Sequence, residues 1–227
     1  MPKQSKRSAK APYHKGDLRE KLLKETARAV ARDGVESVSM RTLSRKLSIS
    51  RTAAYHHFAN KDELLAAVGQ DGFRRLAQHL QEAANGQSSA ILQLRASLCA
   101  YVEFAVEETE FFRLMFANVL ERPVVQSGNS ETLEEYPFSS PEALSAFDLL
   151  VSTVKRCQLD GEIAAGDPLM AANALHAFAH GIAHLAVDKN LKVPGSIRTF
   201  TEFGIDCLLV GLRTAQPSRQ RNRKTSK

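Results

Sequence analysis

The 227-residue chain has no apolar run of about eighteen residues, the length that a helix needs to cross a membrane. Its basic N-terminus is not followed by an apolar stretch, so we expect no secretory signal. Cys99, Cys157 and Cys207 are far apart in the sequence and odd in number, and each lies in an apolar context. This usage is typical of buried thiols in a reducing compartment. These absences predict a cytoplasmic protein without a membrane partner.

Catalytic signatures are missing as well. The sequence contains no phosphate-binding loop, no Gly-x-Ser-x-Gly and no His-Glu-x-x-His. We therefore expect neither enzymatic activity nor a cofactor.

The net charge of +6 is distributed unevenly. Residues 1–60 hold fourteen Lys or Arg against five Asp or Glu, a balance of +9, whereas residues 61–212 hold eleven against twenty, a balance of −9. The last fifteen residues hold six basic residues and no acidic one. A basic head on an acidic body is the charge pattern of a protein that binds nucleic acid through one end.

Residues 39–61 carry the most informative pattern, two short helices separated by a tight turn at Ser48 and Ile49. We predict Ser39 and Ser50 as their N-caps, each with a hydroxyl that accepts a backbone N–H of its helix. In each helix two apolar residues fall four apart and face the other helix. These are Leu43 with Leu47, and Ala54 with Phe58.

The second of these helices leaves its other side chains pointing outward, which is the geometry of a helix that enters a DNA major groove. Arg51 has the forked donors that read guanine, and the small Ala53 allows close approach to base edges. The alternative, a purely structural helix pair, gives little reason for so many clustered donors. The predicted DNA-binding residues are Ser39, Arg41, Ser50, Arg51, Thr52, Ala53, Tyr55, His56, His57 and Lys61.

This stretch resembles the TetR family of bacterial transcriptional regulators. The resemblance covers about residues 16 to 66, and its ordered positions are Gly34, Ser39, Arg41, Leu43, Ser44, Ile49, Ser50, Tyr55, His57, Phe58, Lys61, Leu64 and Leu65. Ser48 departs from it, because the family usually has glycine there, and a left-handed non-glycine residue costs about 1 kcal/mol. Since the family often reads bases through the position of Arg41, that residue rivals Arg51.

The resemblance implies an all-α fold of about nine helices, in which a three-helix DNA-binding domain with a helix-turn-helix precedes a larger helical domain for ligand binding and dimerisation. We place the first domain at residues 16–61 and the second at 62–213. Residues 1–15 and 214–227 are expected to be a disordered basic arm and tail. The fourth helix, from residue 61 to about 84, would contact both domains.

Eight of the fifteen aromatic residues lie between Tyr101 and Phe147, next to an acidic loop at residues 122–141 that is either a lid or a plain surface loop. Aromatic side chains at this density can line a cavity for an organic effector, and the alternative is that they only pack a helical core. The candidate ligand-binding residues are Tyr101, Phe104, Phe112, Met115, Phe116, Phe178 and His180.

Two features mark the predicted eighth and ninth helices. His176, His180, His184 and Asp188 recur every fourth residue, a spacing that can hold a metal only with ligands from another helix. The alternatives are a hydrogen-bonded or effector-facing His180 and a paired His184 and Asp188, so we predict no metal site. Small residues are frequent on both helices and permit close packing, and in the TetR family the last two helices usually form the dimer. This part resembles the subgroup with an aromatic–His–Gly (WHG-type) signature.

The leading hypothesis is a homodimeric repressor that binds a palindromic DNA operator and is released by a small apolar effector. The alternative is a ligand-independent DNA-binding activator or nucleoid-associated protein with the same head.

Removal of residues 1–15 is expected to weaken DNA binding and to reduce its dependence on salt, because five basic residues would no longer displace counterions. Titrations of full-length and truncated protein at several salt concentrations measure this. Unchanged binding would exclude a role for the arm.

Overall fold

The structure, a computed structural model, describes residues 15–116 and 141–214. These residues form nine α-helices and no strand, which confirms the predicted all-α fold. The helices are α1 (Lys15–Asp33), α2 (Met40–Lys46), α3 (Arg51–Tyr55), α4 (Lys61–Ala84), α5 (Ala90–Glu107), α6 (Thr109–Met115), α7 (Pro141–Leu159), α8 (Pro168–Val187) and α9 (Ile197–Thr214). No helix in these two ranges is both long and apolar enough to span a membrane.

Several predicted segments lie outside the described residues. They are the basic arm apart from Lys15, the acidic loop up to residue 140, the basic tail after Thr214, and residues 117–120 of the predicted sixth helix. The sequence pattern predicts this sixth helix over residues 111–120, but α6 begins at Thr109, directly after Glu108, whose non-helical backbone ends α5.

Side-chain caps define where α3 and α4 begin. The Ser50 hydroxyl accepts from the Ala53 N–H at 3.0 Å, as predicted for α3, and the Asn60 side chain accepts from the Glu63 N–H at 2.8 Å at the start of α4. The predicted hydroxyl cap by Ser39 is wrong. Ser39 occupies the N-cap position of α2, but there its backbone carbonyl accepts from the Leu43 N–H at 2.9 Å and its side chain makes no cap bond.

A single hydrophobic core extends from α1 to α9, and α4 contributes to both ends of it. Near its start α4 packs on α1, and further along it packs on α5, α6 and α7. Leu64 and Val68 of α4 are fully buried, as are Leu22 of α1 and Phe112 of α6. Because α4 is shared in this way, displacement of its body end relative to α5–α7 is transmitted to the packing of α1.

The two C-terminal helices pack on each other through a glycine. A Cβ atom at Gly204 of α9 would overlap the Phe178 ring of α8, so only glycine allows this contact. The outer faces of both helices remain exposed. Cys207 lies on the outer face of α9 between exposed Phe203 and Val210, so the prediction of a buried thiol is wrong for Cys207.

We expect Gly204→Ala to lower the free energy of unfolding by about 1–3 kcal/mol, because the added methyl group forces the Phe178 ring away from α9. Gly166→Ala, in the loop before α8, is the control, since a Cβ there would meet no atom within 4 Å and the residue has no positive φ. It is expected to leave stability unchanged or to raise it by up to about 1 kcal/mol. Denaturant unfolding at fixed protein concentration measures both, and equal effects would contradict the packing argument.

Candidate DNA interface and effector cavity

The helix-turn-helix is built around a small buried interface between α2 and α3. Leu43 is 3% exposed, Ala54 0% and Phe58 2%, whereas Leu47 is half-buried, so three of the four residues predicted to face inward are buried. Between the helices Ser48 adopts a left-handed backbone with φ 54°, at the position where the TetR pattern has glycine. The next residue, Ile49, donates its N–H to the Ser44 carbonyl at 2.9 Å and packs on the core. The serine therefore adopts the left-handed backbone that glycine adopts without strain.

Around this interface, the predicted DNA-binding residues divide into two groups by exposure. The fully exposed group is Arg41, Ser50, Arg51, Thr52, Tyr55 and His56, and the half-buried group is Ser39, Ala53, His57 and Lys61. The expectation that Ala53 points outward needs correction, because its methyl group packs against the hydrophobic core. The helix is also shorter than expected. It ends at Tyr55, and His56 is its C-cap.

Ion pairs distinguish the cations of this surface. Lys61 lies 3.7 Å from the exposed Glu36, and Lys46 pairs with Glu25, whose pKa is lowered by the hydrogen bond from Lys46. Within the described part of the chain, no acidic side chain pairs with Arg41 or Arg51. Both guanidinium groups are therefore available to an external anion or base edge.

Where the head meets the body, α4 carries a buried carboxylate. Asp71 is 6% exposed and accepts hydrogen bonds from Arg74 at 2.5 Å and from Arg75 at 2.6 Å. Burial raises the Asp71 pKa, but these two bonds outweigh it and hold the pKa below its usual range. Arg75 also lies 3.5 Å from Glu20 of α1 and stacks on the Phe111 ring of α6. This one guanidinium therefore contacts α1, α4 and α6.

The body contains an apolar cavity of about 60 Å³. Its lining comes from α4, α5, α7 and α8 and from Phe116, which directly follows α6. The lining residues are Phe73, Leu76, Leu80, Leu94, Ser97, Leu98, Tyr101, Phe116, Ala146, Phe147, Leu149, Leu150, Thr153, His176 and Ala179.

Of the seven candidate ligand-binding residues, Tyr101 and Phe116 line this cavity. The other five lie outside the lining. Phe112 packs against Tyr101 and His180 against Phe116, and Phe104 packs beside His79. Met115 packs at Gly72 of α4, and Phe178 packs at Gly204 of α9. The α4 and α7 contributions, such as Leu76 and Leu150, were not predicted. Their helical apolar spacing is visible in the sequence, but the same spacing marks any buried helix face.

The histidines of α8 form a stack rather than a ligand set. His180 Nδ1 lies 2.7 Å from the Tyr101 hydroxyl, and its ring is 4.4 Å from that of His184 and 5.3 Å from that of His176. Burial lowers the pKa of His176, and burial with the two neighbouring histidines lowers the pKa of His180 to about 4. At neutral pH the His180 ring is thus uncharged. Burial also raises the Tyr101 pKa.

Among the described residues, no group of three His, Cys, Asp or Glu side chains lies close enough together to hold a metal ion. The Asp188 carboxylate forms an ion pair with the Arg113 guanidinium of α6 at 3.4 Å. The suggested partner of Asp188 was His184.

A helix-turn-helix head that shares one long helix with a cavity-containing helical body defines a class of DNA-binding regulators. Two family models match the chain: "Bacterial regulatory proteins, tetR family" over residues 22–68, and "Tetracyclin repressor-like, C-terminal domain" over residues 94–208. The second alone covers half of the sequence. The chain belongs to the TetR family, as the N-terminal motif predicted.

Known relatives agree with this assignment. Over 70 residues the chain is 34% identical to the HTH-type nicotine-responsive transcriptional repressor HdnoR of Paenarthrobacter nicotinovorans, a match that spans 31% of this chain and 36% of that repressor. A protein of unknown function from Rhodococcus sp. RHA1 is 30% identical with a TM-score of 0.71, over 90% of this chain and all of that one. AibR in complex with isovaleryl coenzyme A and operator DNA shares the fold, with a TM-score of 0.61 at 17% identity over 84% and 97% of the two chains.

The depressed His180 pKa predicts an acid-sensitive fold. The unfolded histidine binds a proton near pH 6.5 and the folded one near pH 4, so the unfolded state binds more protons between these values. Stability is therefore full above pH 6.5 and falls as the pH drops toward 4. His180→Gln, which keeps a hydrogen-bonding group for Tyr101, is expected to reduce this fall. Unfolding free energies across the pH range test it, and identical slopes for both proteins would contradict it.

Proposed function

We propose that the protein is a homodimeric repressor that binds a palindromic operator through α3 and leaves it when a small apolar molecule enters the body cavity. The observation that carries the proposal is the position of α4. It packs on α1 of the head, and its residues Phe73, Leu76 and Leu80 form one wall of the cavity. HdnoR is named as a nicotine-responsive transcriptional repressor, and AibR was solved in complex with isovaleryl coenzyme A and operator DNA. Both support the proposal.

The exposed face of α3 suits major-groove recognition. Arg51 and Thr52 lie in its first turn and Tyr55 at its end, and all three are exposed. In this proposal Arg51, assisted or replaced by Arg41 from α2, reads base edges, whereas Lys61 contacts a phosphate at the N-terminus of α4. Lys61 would then exchange its ion pair with Glu36 for one with DNA.

The outer face of α8 and α9 suits a second copy of the chain. On α8 a stripe of small and apolar residues at helical spacing is exposed, and it consists of Met170, Ala174, Ala177, Gly181 and Leu185. On α9 the exposed stripe is Phe203, Cys207, Val210 and Gly211. Apolar stripes on two adjacent helices permit a four-helix interface between protomers. A dimer in turn places two α3 helices on two half-sites.

The small volume of the cavity gives a physical reason why ligand binding and DNA binding affect each other. At about 60 Å³ it is smaller than the roughly 150 Å³ that holds benzene in a protein interior. An organic effector must therefore separate the walls, and one wall is α4. Such a ligand binds the expanded form preferentially, and DNA binds the form with the shorter distance between the two α3 helices. Each ligand then weakens the binding of the other.

Arg51→Ala is expected to cost about 1–3 kcal/mol of operator binding and to reduce discrimination among sequences, because a base contact is lost. Lys61→Ala is expected to weaken binding to all sequences alike, because a phosphate contact carries no sequence information. Fluorescence anisotropy with the inverted repeat nearest to the gene and with scrambled DNA measures both. Arg41→Ala is the matched comparison. If Arg51→Ala preserves discrimination and Arg41→Ala removes it, the reader is Arg41.

The quaternary part of the proposal is tested by sedimentation of the free protein. A dimer that dissociates on substitution of Phe203 and Val210 by Ser supports it. A protein that stays monomeric and prefers no inverted repeat from its own genomic neighbourhood would overturn the proposed function. The alternative, a ligand-independent regulator, is favoured if no apolar molecule changes operator affinity.

A further inference from the structure

The cavity wall has no charged group. None of its fifteen lining residues is Asp, Glu, Lys or Arg, and its His176 is kept neutral at pH 7 by burial. An ion that entered would lose its hydration without gaining a counter-ion at the wall, which is a large cost. The chemistry of the lining therefore excludes carboxylates and ammonium groups and admits neutral molecules.

Two of the polar side chains at the wall have already used their donors. The Thr153 hydroxyl donates to the Leu149 carbonyl at 2.8 Å, and the Ser97 hydroxyl donates to the Leu80 carbonyl at 3.4 Å. Each is left with acceptor capacity only. Neither can therefore donate to a ligand without breaking its bond to the backbone.

Tyr101 differs, because its hydroxyl shares one hydrogen bond with His180 that can run in either direction. When the proton of the neutral imidazole is on Nε2, Tyr101 donates to Nδ1 and its oxygen can accept from a ligand. When it is on Nδ1, Tyr101 accepts and its O–H can donate to a ligand. A ligand hydroxyl, which both donates and accepts, satisfies either arrangement. A carbonyl satisfies one and a hydrocarbon neither.

We propose that the cavity takes a neutral, largely hydrocarbon alcohol or phenol whose hydroxyl pairs with Tyr101. This assignment rests on the proposed effector function and adds the ligand class to it. His180 is a positioning residue. It holds the Tyr101 hydroxyl in place, and its tautomer determines whether that hydroxyl donates to the ligand or accepts from it. The surrounding rings hold the pair in place: Phe112 and His176 meet the Tyr101 ring edge-on, at 6.0 and 5.6 Å.

One carboxylate outside the lining defines a rival ligand class. Glu142, in the first turn of α7 and one turn before the lining residue Ala146, has a buried Oε2 atom with no hydrogen-bond partner among the described residues. A cationic amine that reached it would gain an ion pair. A cationic probe therefore belongs in the test.

Four compounds with the same 1-phenylethyl frame isolate the polar group: 1-phenylethanol, cumene, protonated 1-phenylethylamine and 2-phenylpropanoate. Isothermal titration of the full-length protein without DNA at neutral pH measures their affinities. We expect 1-phenylethanol to bind about tenfold more tightly than cumene, the effect of one net hydrogen bond, and neither ion to bind detectably.

Tyr101→Phe removes the hydroxyl but keeps the ring. It is expected to abolish the preference for 1-phenylethanol and to leave cumene binding in place, which also shows that the cavity is still folded. Thr153→Val is expected to retain the preference, and so is Ser152→Ala, a control that removes an exposed hydroxyl of α7 outside the cavity lining. Because the wild-type series already contrasts the four compounds, the assignment can fail even if Tyr101→Phe does not fold.

Equal or tighter binding of cumene, tightest binding of the amine, or no binding of any of the four would overturn the assignment. So would a Tyr101→Phe protein that still prefers 1-phenylethanol. Operator anisotropy with the same compounds separates this from the proposed function. If 1-phenylethanol binds as expected but leaves operator affinity unchanged, the ligand assignment holds and effector-driven release is wrong.

Discussion

Everything in this fold depends on how closely α4 approaches its neighbours at Asp71 and Gly72. A Cβ atom at Gly72 would lie 2.6 Å from the Met115 side chain, so glycine lets α6 sit directly against α4. One residue earlier, the Asp71 carboxylate is buried and neutralised by two arginines of its own helix, one of which reaches α1. A buried carboxylate is tolerated only with such partners. This contact therefore holds the head and body in one relative position.

The cavity and the helix-turn-helix are thus linked by short paths of packed side chains. Phe116 lines the cavity, follows Met115 in the chain and packs edge-on against Phe73 of α4 at 5.7 Å. Arg113 of α6 donates to the Val187 carbonyl at the end of α8 at 3.1 Å. The short helix α6 contacts α1, α4 and the end of α8. An expansion of the cavity that displaces α6 would therefore change its contacts with both the DNA-binding end and the outer helices.

Local features were predictable from the sequence because they depend on neighbours in the chain. The Ser50 cap, the burial of Leu43, Ala54 and Phe58, and the bounds of α4 follow from spacing and cap chemistry. What failed depends on tertiary context. The exposure of Cys207 could not be inferred from apolar neighbours, and neither could the packing of Phe178 on Gly204. The cavity wall is assembled from residues up to about a hundred positions apart, so sequence indicated only the aromatic cluster around Tyr101.

The cavity and the exposed face of α3 are formed by different helices, and this affects how such a protein evolves. No residue of α1, α2 or α3 lines the cavity, and no cavity residue lies on the exposed face of α3. Substitutions of the cavity wall at Leu150 or Phe147 therefore leave the exposed face of α3 chemically intact. The reverse holds for Arg51 or Tyr55. Descendants of this gene can therefore alter the cavity while keeping the exposed face of α3, or alter that face while keeping the cavity.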